Sequence, residues 1–302
     1  MLKKLFLQQK IMDRVLYALI PLVIYGIFRF GWQVLAIVLV SNVFAVLTEY
    51  LFIRQKKGGR ISGAVWVTGT LLALILPPTL PLWMAALGAI VAVSFGKMVF
   101  GGFGMNIFNP ALVGRIFLFV TFPQQMGASW QNPFRGFPGG LAAWNHSAAL
   151  TSATPIAALG NGQTSFWNLF SGNTAGCIGE VSTLLILLAG VYLILTKTAK
   201  WQPMAGGIIS FLVFTLLFYG ANPFYYFAAG GVAFGMVFMI TDPVSMPKDK
   251  RVIWINAALV GFLAVVIRKY SNFDEGFMFA LLLGNTFSPL LDYAWGKKKG
   301  VK

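Results

Sequence analysis

Long apolar runs recur along nearly the whole chain, and they constrain its fold more than any other feature. Between Val15 and Leu290 they are repeatedly long enough to cross a hydrocarbon core of about 30 Å. Because the runs are continuous rather than alternating, they predict helices and exclude an outer-membrane barrel. Only 10% of the 302 residues are charged, against roughly 25% in soluble domains. The sequence therefore predicts an all-α polytopic membrane protein.

The apolar runs divide into about ten predicted transmembrane spans. Several spans are short, which is typical of tilted or broken helices. Prolines within residues 76–81 and 241–243 predict two breaks in the helices. At such a break, freed backbone carbonyls can line a cofactor or ion path. Equally, each proline segment can be a tight turn of the chain at the membrane surface. The predicted spans cover residues 15–28, 34–52, 62–76, 82–95, 108–122, 181–196, 204–219, 223–241, 253–267 and 276–292.

Lysine and arginine residues predict how the chain is oriented in the membrane. With a cytoplasmic N-terminus, 18 of the 23 basic residues fall in inner segments and 4 in outer ones, with Arg115 inside the fifth span. By the positive-inside rule, this asymmetry places both termini in the cytoplasm. It also accounts for the formal charge of +15, which in a soluble protein would indicate a nucleic-acid partner. The outer basic residues are Arg29, Arg135, Arg268 and Lys269.

This orientation puts the one long connection, residues 123–180, on the outer face of the membrane. The connection is rich in Gly, Pro, Asn and Ser, and long ordered loops of this kind are usually functional. We therefore predict a first five-helix membrane repeat over residues 1–122, the outer loop over 123–180, and a second five-helix repeat over 181–302. An odd number of spans per unit would leave the two repeats inverted relative to each other.

A short sequence match supports this duplication. Asn106-Ile-Phe-Asn-Pro-Ala-Leu112 and Asn285-Thr-Phe-Ser-Pro-Leu-Leu291 share the pattern Asn-x-Phe-[Asn/Ser]-Pro-x-Leu, in the fifth and tenth predicted spans. Inverted repeats place binding sites near the membrane midplane, at broken helices. Channels and secondary transporters use the same architecture, so a solute channel or transporter is one interpretation of the chain.

Few charged residues fall inside or beside the predicted spans. Arg115 must be paired or face a polar cavity. It is either an anchor for a ligand phosphate or between helices, or a member of a buried structural pair. Asp242, between Thr241 and Pro243, is the candidate residue for an ion path. We interpret the acids at span ends as hydrated helix termini rather than as a proton relay. These acids are Glu49, Glu180, Asp242 and Asp292.

Cysteine and histidine are too scarce to support metal or cluster chemistry. Cys177 is the only cysteine and His146 the only histidine, whereas an iron–sulfur cluster needs about four protein ligands. A redox role must therefore use another cofactor, and we interpret His146 as a structural residue of the outer loop. We find no catalytic nucleophile, no acid–base pair and no metal site in the sequence. The isolated chain is not expected to turn over a substrate.

Two short segments carry further signals. The glycine-rich segment 100–106 has no strand before it and no Gly-Lys-Ser/Thr after it, so we interpret it as a non-helical start to the fifth span rather than as a phosphate-binding loop. In the outer loop, Thr151-Ser-Ala-Thr-Pro155 groups several hydroxyls among small residues. Pro155 favours an extended backbone at Thr154, a conformation that a modifying enzyme can bind. Composition alone favours a polar turn for this segment.

Four ordered motifs together resemble a known family. They are Ser62-Gly-Ala-Val-Trp-Val-Thr-Gly-Thr70, Phe100-Gly-Gly-Phe-Gly-Met-Asn-Ile-Phe-Asn-Pro-Ala-Leu-Val-Gly-Arg115, Gly179-Glu-Val-Ser-Thr183 and Phe238-Met-Ile-Thr-Asp-Pro-Val-Ser245. The set resembles the D subunit of the Rnf electron-transport complex, a family that also includes the B subunit of the sodium-pumping NADH:quinone oxidoreductase. The resemblance covers almost the whole chain. The absence of the long N-terminal extension expected of the B subunit favours the Rnf assignment.

The resemblance implies a flavin on the outer loop. In this family a threonine of a Ser/Thr-x-Ala-Thr motif carries FMN through a phosphoester bond, which a dedicated flavin transferase makes outside the membrane. Thr154 is the final threonine of the matching motif, and Thr151 is the fallback. Arg135 or Arg115 would then meet the FMN phosphate, and Trp130, Trp144, Trp167 and Phe134 are available to stack on the flavin ring. A second, non-covalent flavin such as riboflavin is also implied, without a motif to place it.

The resemblance also implies partners and a location. The chain would be a multi-pass subunit of a bacterial or archaeal cytoplasmic (inner) membrane complex that joins electron transfer between NADH and ferredoxin to transport of Na⁺ or H⁺. Its partners would be the membrane iron–sulfur subunits, the flavin-bearing G subunit, and the NADH- and ferredoxin-facing subunits. The alternatives are a B-like subunit of the quinone reductase and the solute transporter, and covalent flavin separates the transporter from the other two.

Overall fold

Helices make up most of the chain in the computed structural model, which describes residues 6–54, 59–134, 136–145, 149–150, 166–180, 182–271 and 276–298. Two short strand pairs accompany them. Phe6–Leu7 pairs in parallel with Ile61–Ser62, and Trp130–Gln131 pairs antiparallel with Ala149–Leu150. The helices are α1 Lys10–Phe30, α2 Gln33–Ile53, α3 Ala64–Leu74, α4 Leu82–Val93, α5 Pro110–Thr121, α6 Pro123–Ala128, α7 Phe166–Ser171, α8 Thr183–Leu195, α9 Trp201–Tyr219, α10 Pro223–Ala228, α11 Val232–Phe234, α12 Lys250–Tyr270 and α13 Gly276–Lys298.

Several helices are long and apolar enough to cross a membrane. Among the described residues these are α1, α2, α9 and α12, while α3, α5, α8 and the segment Leu82–Met98 are shorter apolar helices. The chain is therefore an all-α polytopic membrane protein, as predicted. Short spans can be tolerated inside a bilayer where neighbouring protein satisfies their ends.

One predicted span is wrong in detail, because residues 223–241 do not form a continuous helix. Helix α10 ends at Ala228, and the chain resumes as α11 at Val232. Gly230 and Gly231 adopt φ values of 67° and 73°, a left-handed conformation that stops a right-handed helix and that glycine adopts without steric cost. Helix α11 then passes into a π-helical turn, Gly235–Met239. The Gly-Gly pair thus divides this span.

Backbone carbonyls at the two broken spans are bound by other parts of the protein. At the end of α3, the Leu74 carbonyl accepts a hydrogen bond from the Gly179 N–H at 2.6 Å, and the Leu76 carbonyl accepts one from Ile178 at 3.2 Å. At the α10–α11 break, the Arg268 guanidinium donates to the carbonyls of Tyr226 at 2.9 Å, Ala229 at 3.0 Å and Gly230. The outer loop and α12 therefore hold the broken helices in place.

The helices pack in a similar order in the two parts of the chain. Helix α4 packs on α2 and α5, and α12 packs on α9 and α13. In order of the predicted spans, these are the second, fourth and fifth members of each half. The seven-residue match, however, lies in unlike places: Asn109 caps α5 with Pro110 in its first turn, whereas Pro289 lies inside α13. The duplication stays a prediction, and helix packing supports it better than the motif does.

Two arginines at the predicted outer face are buried. Arg29, in the last turn of α1, is 6% exposed and donates to the carbonyls of Gly172 at 2.7 Å and Phe134 at 3.0 Å. Arg268, in the last turn of α12, is 8% exposed and binds the carbonyls of the α10–α11 break. Their charges satisfy backbone groups inside the protein rather than facing the membrane surface. This placement explains two of the outer exceptions to the charge asymmetry.

Arg268→Met is expected to destabilise the protein by at least about 3 kcal/mol. The substitution keeps an apolar stem but leaves several carbonyls without their charged donor, and hydrogen bonds to charged groups contribute roughly 1.5–3 kcal/mol each. Unfolding in mixed detergent micelles measures the change. The matched control is Lys269→Met, because the exposed Lys269 ammonium donates to a single carbonyl, that of Phe218. An equal loss in both variants would contradict a special role for Arg268.

Candidate functional site

The described part of the outer loop is fastened to the outer ends of α1 and α2. Backbone N–H groups of Trp32 and Gln33 donate to the carbonyls of Ala143 at 3.1 Å and Trp144 at 2.9 Å. The Asn145 side-chain amide donates to Gln33 Oε1 at 2.7 Å. The strand Ala149–Leu150, which directly precedes Thr151 in sequence, pairs with Trp130–Gln131. The chain therefore enters the threonine motif from an anchored strand.

Three of the residues that the resemblance assigns to the flavin lie outside the described residues. They are Thr151, Thr154 and Arg135, and His146 is outside as well. Among the aromatic candidates, Trp144 is 56% and Trp167 is 72% exposed, whereas Trp130 is 7% exposed. Trp130 packs inside the protein, so the prediction that its ring is available for stacking is wrong. Trp144 and Trp167 keep open ring faces.

Arg115 lies at the centre of the protein, on α5. It is 1% exposed, and its guanidinium donates to Glu180 Oε1 at 3.4 Å and to Cys177 Sγ at 3.1 Å. Glu180 thus pairs with Arg115, and its side chain is only 9% exposed, so the expectation of a hydrated helix end is wrong for this acid. The geometry favours a buried structural ion pair for Arg115, with its partner in the turn before α8, and a role at a cofactor phosphate stays a prediction.

A cavity of about 80 Å³, whose wall is mainly apolar, lies at the end of the helix bundle that the charge asymmetry places in the cytoplasm. The start of α5 and the start of α3 form part of its wall. Two π-helical turns bring charged residues to it: Ser94–Met98, which continues α4 and contains Lys97, and Gly235–Met239, which precedes Asp242. Single π-turns inside helices are frequent at functional sites. The polar residues in the wall are Thr68, Lys97, Asn106, Asn109, Thr241 and Asp242.

Lys97 forms a buried ion pair with Glu49 of α2. The Lys97 ammonium lies 2.6 Å from Glu49 Oε2 and 2.5 Å from Ser62 Oγ, and the Ser62 N–H donates to Glu49 Oε1 at 2.9 Å. Lys97 is 2% and Glu49 1% exposed. The interpretation of Glu49 as a hydrated helix end is therefore wrong, because the carboxylate is buried and compensated by the ammonium. The pair ties α2, the strand Ile61–Ser62 before α3, and the π-helical turn after α4 together beside the cavity.

Asp242 is held in a turn at the same cavity. Its Oδ1 accepts the Val244 N–H at 3.2 Å, and its Oδ2 accepts the Ser245 hydroxyl at 3.0 Å. Burial raises the pKa of Asp242 above its ordinary value, and hydrogen bonds from Val244, Ser245 and Asn106 oppose that rise. The contact with Asn106 joins the two predicted halves of the chain. In the cavity wall, the Asp242 carboxylate and the Lys97 ammonium are the charged groups that the described residues provide.

The glycine-rich segment gives α5 the non-helical start that the sequence predicted. Gly101, Gly102 and Gly104 adopt φ values of 115°, 110° and 86°, which other residues rarely adopt. The segment places the Phe103 ring against the Lys97 ammonium, whose nitrogen lies over the ring at 5.9 Å from its centroid. Asn109 then caps α5, its side chain accepting the Ala111 N–H at 3.1 Å. These residues close one side of the cavity.

Sequence reasoning identified Asp242 but missed Lys97 and Glu49 as members of this site. A lysine and a glutamate beside apolar spans were a usable signal, since ionisable residues at membrane depth pair with one another. Their partnership was hidden because the two residues lie 48 positions apart. Across the described ranges, no group of three or more His, Cys, Asp or Glu side chains is arranged to hold a metal ion.

Comparisons with known proteins cover nearly the whole chain. Residues 4–300 match the sequence profile of the NQR2, RnfD, RnfE family. The B subunit of the Na(+)-translocating NADH-quinone reductase from Haemophilus influenzae is 39% identical over 264 residues, 83% of this chain and 64% of the relative. The proteins of the same name from Ectopseudomonas mendocina and Pseudomonas aeruginosa (strain UCBPP-PA14) are 40% and 39% identical, each over 81% of this chain and 62% of the relative.

The matched region covers only part of each relative. This chain spans less than two thirds of the length of those three proteins. Within the shared region, the family profile takes in the α5 segment with Arg115, the outer loop and the turn that holds Asp242. The chain belongs to the NQR2, RnfD, RnfE family.

Proposed function

We propose that the chain is the FMN-carrying membrane subunit of an ion-translocating electron-transport complex of the Rnf type. Such a complex would join electron transfer between NADH and ferredoxin to the transport of Na⁺ or H⁺. The observation that carries the proposal is the motif Thr151-Ser-Ala-Thr154, in a chain of this family, entered from the anchored strand Ala149–Leu150. The positive-inside asymmetry supports an outer position for the motif and cytoplasmic termini in the inner membrane.

The residues of this chain fit a covalently held flavin. Thr154 offers the hydroxyl for a phosphoester bond to FMN, with Thr151 as the fallback. The exposed rings of Trp144 and Trp167 offer apolar faces on the same loop, and aromatic rings stack favourably on flat conjugated systems. Bound FMN supplies one- and two-electron transfer without Cys or His ligands. Riboflavin, as a second and non-covalent flavin, belongs to the same proposal.

The identity of the complex has a specific alternative. The relatives described above are all named as the B subunit of the Na(+)-translocating NADH-quinone reductase, which supports a B-like subunit in a quinone-reducing complex. The partners in either case are the other membrane, iron–sulfur and flavin subunits of the complex and the flavin transferase. Purified complex that reduces quinone but not ferredoxin with electrons from NADH would favour the B-like assignment.

We assign cation coupling to the cavity and to Asp242, one of the polar residues in its mainly apolar wall. Because Lys97 is compensated by Glu49 at 2.6 Å, the Asp242 carboxylate is the charge in the cavity wall without an ion-pair partner among the described residues. A buried carboxylate beside hydroxyl and amide oxygens is suited to a hard cation such as Na⁺, and equally to a proton. The broken helices α3 and α11 lie between this cavity and the outer loop, where a redox-linked shift would gate passage.

Asp242→Asn is expected to lower cation-dependent turnover of the complex by at least about tenfold, while covalent flavin is retained. Removing the charge removes about 1.4 kcal/mol or more of cation binding, which corresponds to that factor. Because the pKa of Asp242 is raised, protons compete with the cation as pH falls through that pKa. The Na⁺ concentration for half-maximal rate should therefore rise at low pH in the wild type and not in the variant.

Reconstituted complex with a Na⁺-sensitive or pH-sensitive dye measures both effects. Asp249→Asn is the matched control, because Asp249 caps α12 through the Arg251 N–H at 2.9 Å and does not line the cavity. Wild-type Na⁺ dependence in the Asp242 variant would remove this residue from the ion path.

Detection of covalently bound flavin on the chain tests the proposed function. The chain would be expressed with and without a flavin transferase, and the denatured protein inspected for ultraviolet-excited fluorescence and for the FMN mass on a peptide. We expect FMN on the peptide that contains residues 151–154 only when the transferase is present. A clean absence of flavin, with a control substrate modified in the same cells, would favour the solute channel or transporter, for which the broken helices are the supporting observation.

A further inference from the structure

An apolar groove lies on the protein surface between α1 and α8. The groove is open and has a volume of about 520 Å³. Tyr17 and Pro21 form the α1 wall, and Leu185, Leu188 and Tyr192 form the α8 wall. Pro21 lies inside α1 and has no N–H, so it removes one hydrogen bond of the helix at this level.

One end of the groove is closed by a cation that bridges both walls. Arg14 lies one turn before Tyr17 on α1, and its guanidinium donates to the Thr196 carbonyl at 2.7 Å. Thr196 in turn lies one turn after Tyr192, whose carbonyl accepts the Thr196 N–H at 3.0 Å. The bridge therefore crosses from the first wall to the second at the groove's end. Arg14 itself is exposed.

Further charges surround this end. Lys10, Lys197 and Lys200 are exposed here, and Asp13 is the acid beside them. By the positive-inside asymmetry this is the cytoplasmic end, where anionic headgroups attract basic residues. A guanidinium has five N–H donors in a planar fork that matches phosphate, and one donor suffices for the Thr196 carbonyl. Several donors are left to bind a phosphate.

We propose that the α1–α8 groove binds an anionic phospholipid, with an acyl chain along the apolar walls and the phosphate on Arg14. Hydrocarbon fills an apolar groove that faces a bilayer, and the surplus of positive charge at its cytoplasmic end selects an acidic headgroup over a zwitterionic one. Residues of α1 and α8, among them Val15 and Leu193, also line the cavity of Asp242, but the lipid contacts involve neither Asp242 nor the outer loop. The lipid site therefore does not depend on the proposed function.

Native mass spectrometry of the full chain, in the complex with which it purifies, tests the site. The probes are phosphatidylglycerol and, for comparison, phosphatidylcholine with the same acyl chains, each titrated into delipidated protein. The wild type is expected to retain phosphatidylglycerol at least fivefold better than phosphatidylcholine. Arg14→Gln should lose that preference. The matched control is Arg60→Gln, which removes another exposed arginine of the same membrane face outside the groove.

A groove-filling variant separates the lipid from other occupants. Leu188 is 56% exposed in the groove, so Leu188→Trp occupies the acyl-chain space with little effect on the fold, which circular dichroism verifies. We expect this variant to lose bound lipid while inorganic phosphate, as a probe of the headgroup site alone, is unaffected. Unchanged phosphatidylglycerol retention in both Arg14→Gln and Leu188→Trp would overturn the proposal. Loss of a partner subunit from the Leu188 variant, with lipid retained, would assign the groove to a protein helix and overturn it equally.

Discussion

Thr154→Ala is expected to abolish covalent flavin on this chain. The phosphoester bond needs a side-chain hydroxyl, and alanine provides none, so the effect is complete loss rather than a graded change. Fluorescence of the denatured chain after expression with the transferase measures it, and peptide mass spectrometry identifies the site. Electron transfer through the complex should fall with the flavin, because the proposed electron path runs through it.

Thr151→Ala is the matched control for this prediction. It removes a hydroxyl three positions away in the same motif and should leave the FMN mass on the peptide. Thr154→Ser keeps a hydroxyl and is expected to retain part of the modification. If Thr151→Ala abolished the flavin and Thr154→Ala did not, the attachment site would be Thr151, and the assignment of Thr154 would be refuted.

The second large effect concerns the ion pair of Lys97 and Glu49 beside the Asp242 cavity. Lys97→Met is expected to destabilise the protein by about 3–5 kcal/mol, because it leaves the buried Glu49 carboxylate without its compensating charge. The ammonium lies 2.6 Å from Glu49 Oε2, and both residues are almost fully buried. Unfolding in mixed micelles, followed by tryptophan fluorescence or circular dichroism, gives the change in the free energy of unfolding.

The double variant Lys97→Met with Glu49→Gln provides the control. Both charges are then absent, and replacing a buried ion pair by neutral groups is often close to neutral in stability. We expect the double variant to recover most of the loss seen in the Lys97→Met protein. Additive losses in the two single variants and the double variant would show that the residues do not interact, contrary to the structure.

The sequence predicted most of the helices because their signal is local. Uncharged runs between polar connections mark α1, α2, α9 and α12 without knowledge of tertiary contacts. The division between α10 and α11 was missed, although its cause, the pair Gly230-Gly231, is also local. Glycine gives no clear signal in a hydropathy pattern because it has no side chain. It is also frequent in membrane helices that are not broken. The hydropathy pattern alone thus joined two short helices into one span.

The site was less predictable because its members are distant in sequence. Arg115 and Glu180 lie 65 positions apart, and only folding shows that the arginine has a carboxylate partner. The same holds for Arg29 and Arg268, whose charges were counted as exposed loop charges. Counting assumes that a basic residue near a span end faces the membrane surface, and these two guanidinium groups bind carbonyls inside the protein instead. Asp242 was found because the turn around it is local.

Each of the two π-helical turns beside the cavity contains one residue more than a regular α-helical turn would. In Ser94–Met98 the Val99 N–H pairs with the Ser94 carbonyl, and in Gly235–Met239 the Ile240 N–H pairs with the Gly235 carbonyl, each five positions back. Such a turn amounts to an α-helix with one inserted residue. Deleting one residue from either turn would restore regular α-helical pairing and remove the widened backbone that carries Lys97 or leads to Asp242. Homologues that retain this cavity should therefore tolerate many substitutions in the two turns and no deletions.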